Sequence, residues 1–158
     1  TPRPFMDLAQ RVLRAAGREP QPLESIREGS PPLFVPLDQP AEVAAIAENL
    51  AADPDIGRVA VIAPRALAPA LQAHLESALP QHLVGSGDQR LDTVVSVLTV
   101  AQAKGLEFDA VIVTEPGMIE AESPQPGSDL YVALTRATRD LVIAYSGALP
   151  AGMSTVAT

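Results

Sequence analysis

Four short segments that are apolar almost throughout constrain most strongly how this chain can fold. They are RVAVIA at 58–63, VVSVLTV at 94–100, AVIVTE at 110–115 and LVIAYS at 141–146. Each is rich in β-branched residues and long enough to cross a sheet once. Strands of this kind are buried on both faces, which is typical of a parallel sheet between layers of helices.

Segments with apolar residues at helical spacing separate these strands. They cover 1–17, 40–52, 66–79 and 130–141, and a further short strand is predicted at 32–37. In the first helix, Thr1 is the expected N-cap, Pro2 the first helical residue and Gly17 the stop. The last helix is predicted from a single stripe of Leu130, Leu134, Ala137 and Leu141. The alternation of helices and strands predicts an α/β layered domain with a mostly parallel sheet covered by helices on both faces.

The remaining segments are interpreted as connections. We expect loops at 84–92 and at the acidic, proline- and glycine-rich stretch 116–129, and a flexible tail at 150–158. Residues 1–149 then form one domain, since 158 residues suffice for one buried core. Because the sequence opens with Thr1 inside a predicted helix, we also expect it to be a piece of a longer protein.

Composition and charge exclude several classes of function. The chain has no cysteine, which rules out disulfides and thiolate metal sites, and its two isolated histidines predict no metal site. With a net charge of −8 it should repel nucleic acid unless the contact is local or shared with another domain. No GxxxxGK[ST] phosphate loop occurs, and the GSGD stretch at 85–88 lacks a lysine and a preceding strand. The N-terminus has no signal-peptide pattern and no apolar run reaches membrane-spanning length, so a cytoplasmic location is the default.

The stretch QAKGLEF at 102–108 places polar residues between two strands predicted to be buried. It contains Lys104, the sole lysine of the chain, together with Gly105 and Glu107. Taken alone, the stretch is explained by a tight strand-to-strand connection. In that interpretation Gly105 provides the turn, and Lys104 and Glu107 are solvated.

The predicted helix at 130–141 carries two arginines in different settings. A rotation of about 100° per residue puts Arg139 opposite the apolar stripe, in solvent, and Arg136 near the edge of that stripe. An arginine whose stem covers a neighbouring helix would account for Arg136. Tyr131 and Thr135 are interpreted as packing and capping residues around Arg136.

Considered together, LTVAQAKGLEFDAVIV and LYVALTRATRDLVIAYS resemble motifs V and VI of the UvrD/Rep-like superfamily 1 helicases. The resemblance covers 97–146, and the pattern from Thr1 onward resembles the second RecA-like domain (2A) of that family. The phrases QAKGLEFDAVIV, AESP and DLYVALTRAT are most similar to the HelD-type branch, helicase-like ATPases that bind RNA polymerase.

The resemblance implies roles for five residues around ATP bound between two RecA-like domains. Arg136 would reach the γ-phosphate, Glu107 would accept a hydrogen bond from the ribose, and Gly105 would bring the backbone close to the nucleotide cleft. Lys104 and Thr99 would belong to the nucleic-acid side or couple it to the nucleotide side. The phosphate loop and most of the Mg²⁺ coordination would lie in a first RecA-like domain outside this chain, so the chain alone is expected to be inactive.

Two departures from the family pattern affect the functional interpretation. Ala101 stands where motif V usually has a histidine that contacts the nucleic-acid strand, which places strand tracking in doubt. The acidic 116–129 stretch replaces the charged segment common before motif VI.

The preferred hypothesis is the 2A domain of a HelD-like ATPase. Its partners would be the first RecA-like domain, nucleic acid through the whole parent, and RNA polymerase. The alternatives are a DNA-repair translocase of the UvrD type and a non-catalytic RecA-like binding module.

Overall fold

A computed structural model describes residues 1–17, 31–80, 83–84 and 94–153. Its centre is a five-stranded sheet in the order β1-β5-β4-β2-β3, in which every strand pair is parallel. The strands are β1 (Leu33–Pro36), β2 (Val59–Ile62), β3 (Val95–Leu98), β4 (Phe108–Thr114) and β5 (Ala137–Tyr145). This confirms the predicted α/β class and the predicted parallel sheet.

Helices cover both faces of this sheet, as predicted. They are α1 (Arg3–Ala15), α2 (Val43–Ala51), α3 (Ala68–Ala78), α4 (Val100–Ala103), α5 (Pro116–Glu122) and α6 (Pro126–Leu134), with a 3-10 turn at Pro40–Glu42. Apolar residues of α1, α4, α5 and α6 form a core on one face, and those of α2 and α3 form a core on the other. Successive residues of β4 point alternately into these cores: Val111 and Val113 into the first, Ala110 and Ile112 into the second.

The prediction of one helix over 130–141 is wrong. α6 ends at Leu134, and Ala137 already belongs to β5, where it pairs with Phe108. Leu141 therefore reaches the core from a strand rather than from the stripe of a helix. A strand buried on both faces shows no alternation of polar and apolar residues, so its leucine and alanine fitted the helical period by chance.

The prediction of a loop over 116–129 is also wrong. The segment contains α5 and the start of α6, and Pro116 and Pro126 are the first residues of these helices. A proline at the first helical position loses no intrahelical hydrogen bond and has a backbone angle suited to the helix. The prolines of this stretch therefore begin helices, whereas the sequence interpretation took them as marks of a loop.

Both ends of the described chain differ from expectation. Helix α1 begins at Arg3, one residue later than predicted, and the Thr1 hydroxyl donates to the carbonyl of Thr135 at 3.1 Å and caps no helix. Gly17 has φ +79°, in agreement with its predicted role as the helix stop. In the segment predicted as a flexible tail, Met153 is fully buried in the first core. In the described part of that segment, this apolar side chain packs against the domain.

Two predictions fall on parts of the chain outside the described residues. Most of the predicted loop at 84–92, with the GSGD stretch, lies there, as do 154–158 of the predicted tail. In the part of the chain that is described, no helix combines the length and the apolar character needed to cross a bilayer.

Candidate functional site

A single turn of helix and a glycine connect β3 to β4. Helix α4 is capped by Thr99, whose hydroxyl accepts from the backbone N–H of Gln102 at 3.3 Å. The side-chain oxygen of Gln102 accepts in return from the N–H of Thr99 at 2.9 Å, which completes a capping box. Thr99 therefore has a structural role at the start of α4, directly after the carboxyl end of β3.

Gly105 reverses the chain after this turn of helix. Its φ is +78°, and no atom lies within 4 Å of the position that a Cβ would occupy. The glycine is thus required by the left-handed backbone and not by close packing. Lys104, Gly105 and Glu107 are all exposed, so the connection presents its polar groups to solvent just before β4 begins.

The guanidinium of Arg136 is held by three acceptors of the domain itself. Its Nε donates to the carbonyl of Val132 at 3.1 Å, Nη1 donates to the carbonyl of Leu106 at 3.3 Å, and Nη2 donates to the hydroxyl of Thr135 at 3.1 Å. An arginine carries five N–H donors. Among the described residues, one N–H on each terminal nitrogen is therefore left for a ligand, which is the number that two phosphate oxygens would use.

Backbone contacts join the Arg136 region to the Gly105 connection. The N–H of Phe108 donates to the carbonyl of Arg136 at 2.9 Å, and the Thr138 hydroxyl donates to the carbonyl of Phe108 at 3.3 Å. Between Ala137 and Asp140, β5 has one residue more than the β4 segment it faces, so the ladder bulges beside Arg136. The two sequence segments singled out above thus meet at the amino-terminal edge of the sheet.

Thr99 does not belong to this cluster. It follows the carboxyl end of β3, whereas Glu107 and Arg136 precede the amino ends of β4 and β5. Because the strands are parallel, these residues lie at opposite edges of the sheet. The structure therefore places Arg136 against Leu106 and Phe108, the chain neighbours of Gly105 and Glu107. Thr99 lies at the other edge, with Lys104 on the connection between them.

The Thr99 edge contains a crevice of about 140 Å³. Its polar lining includes Arg65, Thr99, Ser123 and Asp129. The carboxylate of Glu122 also lies in this lining and accepts from the backbone N–H groups of Arg65 and Ala66 at 2.6 and 2.8 Å. In the described ranges, no group of three or more His, Cys, Asp or Glu residues is arranged to hold a metal ion.

Two contacts at the Arg136 edge were not predicted from the sequence. Thr135 was interpreted as a packing and capping residue around Arg136, and it is the C-cap of α6, but the hydrogen bond that its hydroxyl accepts from the Arg136 guanidinium was not foreseen. Arg58 lies directly before β2, and its guanidinium carbon is 4.8 Å from the ring centroid of Phe108, a cation–π distance. A basic residue immediately before a buried strand is the sequence signal that could have identified Arg58.

Comparisons with known proteins show similarity to helicase domains in sequence and in fold. Residues 95–144, about a third of the chain, match the family of UvrD-like helicase C-terminal domains, and this span contains all five predicted site residues. The fold is similar to the C-terminal domain of a possible DNA helicase from Lactobacillus plantarum WCFS1. The TM-score is 0.69 at 21% identity, over 98% of this chain and 91% of that one. No curated protein sequence matches the chain.

Proposed function

We propose that this chain is the second RecA-like domain, 2A, of a UvrD-like ATP-dependent DNA helicase. In this role it supplies Arg136 to the γ-phosphate of ATP bound between 2A and a first RecA-like domain that carries the phosphate loop. The observation that carries the proposal is the guanidinium of Arg136, fixed by three internal acceptors, with an N–H on each terminal nitrogen that no acceptor of the described ranges takes. The match of residues 95–144 supports the same role.

The chemistry of phosphoryl transfer suits an arginine in this position. Guanidinium is planar, stays charged at all physiological pH values and can donate two hydrogen bonds to phosphate oxygens. In nucleotide hydrolases where it has been measured, such an arginine contributes on the order of 10³–10⁵ in rate. Glu107, exposed two residues after the Gly105 turn, would accept from the ribose hydroxyls, and Mg²⁺ would be held mainly by the first domain.

The connection from Thr99 to Glu107 offers a route for coupling nucleotide state to nucleic acid. It begins at one edge of the sheet with the Thr99 cap and ends at the other edge beside Arg136. We propose that Thr99 and Lys104 transmit the closure of the nucleotide cleft to the nucleic-acid edge. The parent protein, not the isolated domain, would contact nucleic acid, since the net charge of this chain is −8.

Within this function we propose the HelD-type branch, in which the ATPase acts on RNA polymerase in the cytoplasm. The supporting residue is Ala101, exposed in α4 where a strand-contacting histidine would be expected. The alternative is a repair translocase of the UvrD type, whose ATPase would be stimulated by single-stranded DNA in a steeply salt-dependent way. Association of the purified parent with RNA polymerase, without such stimulation, would favour the HelD-type branch.

A third candidate, a non-catalytic binding module, requires that the parent lack a phosphate loop.

The test is steady-state ATP hydrolysis by a protein that contains this chain together with its phosphate-loop domain. Arg136→Ala should lower kcat at least a hundredfold, while nucleotide affinity changes little, because the arginine acts on charge that develops in the transition state. The matched control is Arg139→Ala. Arg139 lies three residues further along, and it forms ion pairs with Asp53 at 3.5 Å, Asp55 at 3.6 Å and Asp140 at 4.0 Å.

Two results would contradict the proposal. If Arg136→Ala and Arg139→Ala had the same kcat as the wild type, Arg136 would be a structural residue only. Hydrolysis of ATP by the isolated 158-residue chain would show that the phosphate-binding groups lie elsewhere than proposed.

A further inference from the structure

The neighbours of the Thr135 hydroxyl determine where its proton points. Thr135 follows the last residue of α6 and is 3% exposed. Its Oγ1 lies 2.9 Å from the carbonyl oxygen of Tyr131 and 3.2 Å from that of Val132, both of which can only accept. The single hydroxyl proton is therefore directed back into the helix.

Because its proton points into the helix, the Thr135 hydroxyl can only accept a hydrogen bond from Arg136, through the lone pairs of Oγ1. Nη2 of Arg136 donates to Oγ1 at 3.1 Å. Since Nε and Nη1 donate to the carbonyls of Val132 and Leu106, the guanidinium is held at all three nitrogens. Of the three acceptors, only Thr135 contributes a side chain, so it is the only one that a substitution can remove without changing the backbone.

We propose that Thr135 is the positioning residue for Arg136. Its hydroxyl fixes the plane of the guanidinium so that the remaining N–H on each terminal nitrogen points to the place where a phosphate is received. This inference rests on the proposed function of Arg136 and adds to it the residue through which the arginine is preorganised.

We expect the fold to tolerate removal of this hydroxyl. The carbonyls of Tyr131 and Val132 each also accept from the backbone N–H of Thr135 at 3.2 Å, so neither loses its last donor in Thr135→Val. Valine has nearly the shape of threonine and fits the same buried space. A change in catalysis by this variant would therefore report on the orientation of Arg136 and not on unfolding.

The first test compares Thr135→Val, Thr135→Ser and Arg136→Ala in the protein that contains the phosphate-loop domain. We expect Thr135→Val to lower kcat on the order of tenfold, the equivalent of about 1.4 kcal/mol from one lost hydrogen bond to a charged group, with KM little changed. Thr135→Ser keeps the hydroxyl and should stay within about twofold of the wild-type kcat.

The pattern across the three variants distinguishes failure of this inference from failure of the proposed function. A large loss in Arg136→Ala with none in Thr135→Val would overturn the positioning role and leave the function of Arg136 intact. An equal loss in Thr135→Val and Thr135→Ser would assign the effect to packing and overturn the inference. Unchanged turnover in Arg136→Ala would overturn both the proposed function of Arg136 and the positioning role of Thr135.

The second test uses the 158-residue chain alone and does not depend on ATP hydrolysis. In ¹⁵N relaxation of the arginine side chains, Nε of Arg136 should be ordered on the ps–ns timescale in the wild type and in Thr135→Ser, and more mobile in Thr135→Val. The Nε signal of Arg139 is the internal reference and should be the same in all three proteins. Equal order of Arg136 in the wild type and in Thr135→Val would overturn the inference.

Discussion

Gly105 is a residue at which backbone conformation, and not packing, limits the choice of amino acid. Its φ of +78° is left-handed, and no neighbouring atom would touch a Cβ there. We expect Gly105→Ala to lower the free energy of unfolding by about 1–2 kcal/mol, the cost of a left-handed backbone for a residue with a Cβ. Urea unfolding of the two proteins, followed by circular dichroism, measures this difference.

Two other glycines provide matched controls for that experiment. Gly17 has φ +79° and open space around its Cβ position, so Gly17→Ala should cost a similar amount. Gly147 has the same open space without a positive φ, and Gly147→Ala should be close to neutral. Equal stability of all three variants would show that the left-handed turn at Gly105 is not imposed by the fold.

Glu115 is the one non-glycine residue with a positive φ in the described part of the chain. Its φ is 50°, it is 4% exposed, and its carboxylate accepts from the backbone N–H and the hydroxyl of Ser146, the former at 2.8 Å. Because hydrogen bonds to a charged group contribute about 1.5–3 kcal/mol, Glu115→Ala should destabilise the domain by about that amount in a urea titration. Alanine keeps a Cβ, so the strain of the positive φ remains.

A glycine variant separates the two contributions at this position. Glu115→Gly also removes the carboxylate but relieves the backbone strain, so it should be more stable than Glu115→Ala by up to about 1–2 kcal/mol. Glu120→Ala, in the helix α5 that Glu115 directly precedes, is the control and should unfold like the wild type. Glu115→Ala with wild-type stability would mean that the carboxylate does not fasten the end of β4 to Ser146, the residue after β5.

The functional roles of Arg136 and Gly105 were inferred from the motif resemblance and stay predictions, whereas the contacts that hold Arg136 could not be inferred from the sequence at all. The local pattern by itself marks only a charge or a glycine that interrupts an apolar run. Sequence spacing gives no sign that the carbonyl of Leu106 accepts from Arg136, since 30 residues separate the two. The role of Thr135 was hidden for the same reason, because it depends on where α6 ends.

At the scale of the elements, the local sequence pattern could not predict where α6 ends and β5 begins. Helical spacing of Leu130, Leu134, Ala137 and Leu141 continues across a point where the Thr135 hydroxyl bonds back to the last turn and the chain enters the sheet. Pairing with β4 decides the outcome, and this tertiary interaction is not encoded in the local pattern. Strands 59–62, 95–98 and 108–114 were located correctly because each is a short apolar run of its own.

The segment after β5, here called the C-terminal strap (146–153), is an element that the sequence did not predict. Met153 is fully buried in the first core, and the Cβ position of Gly152 is 2.8 Å from the carbonyl oxygen of Arg11. The strap is thus packed directly on α1. Since removing a buried methionine side chain typically costs about 2–5 kcal/mol, Met153→Ala should lower the free energy of unfolding by about that amount.

Another methionine of the chain provides the control for the strap. Met118 is 39% exposed in α5, and Met118→Ala should change the stability by less than about 0.5 kcal/mol. The melting temperatures of both variants and of the wild type, measured by thermal unfolding, test whether Met153 stabilises the fold. Equal melting temperatures for Met153→Ala and the wild type would mean that the strap is detached in solution.

At the scale of the whole molecule, the parallel sheet with helices on both faces followed from the apolar strands. The strand order did not, because nothing in a sequence states that β5 lies between β1 and β4. That order sets the site, since it places the start of β5 next to the start of β4 and brings Arg136 beside Leu106. The parallel direction of the strands, in turn, puts the Thr99 crevice and the Arg136 cluster at opposite edges of one sheet.

The charge of the whole molecule predicts how the isolated chain behaves toward nucleic acid. Proteins that bind DNA without sequence preference neutralise phosphates with Lys and Arg, and their Kd values at physiological salt are about 10⁻⁴–10⁻⁶ M. This chain has 11 basic and 19 acidic residues. We therefore expect a Kd weaker than about 10⁻⁴ M for fluorescently labelled single-stranded DNA, measured by anisotropy at physiological salt.

A salt series distinguishes general repulsion from a local contact. If repulsion dominates, binding stays weak even at low ionic strength, where a few exposed arginines would otherwise be most effective. Micromolar affinity that falls steeply with salt would contradict the expectation and show that one edge of this domain binds the strand unaided. Arg65→Ala, in the lining of the Thr99 crevice, would then locate that edge, because loss of a phosphate contact weakens binding and lowers the salt slope by about one.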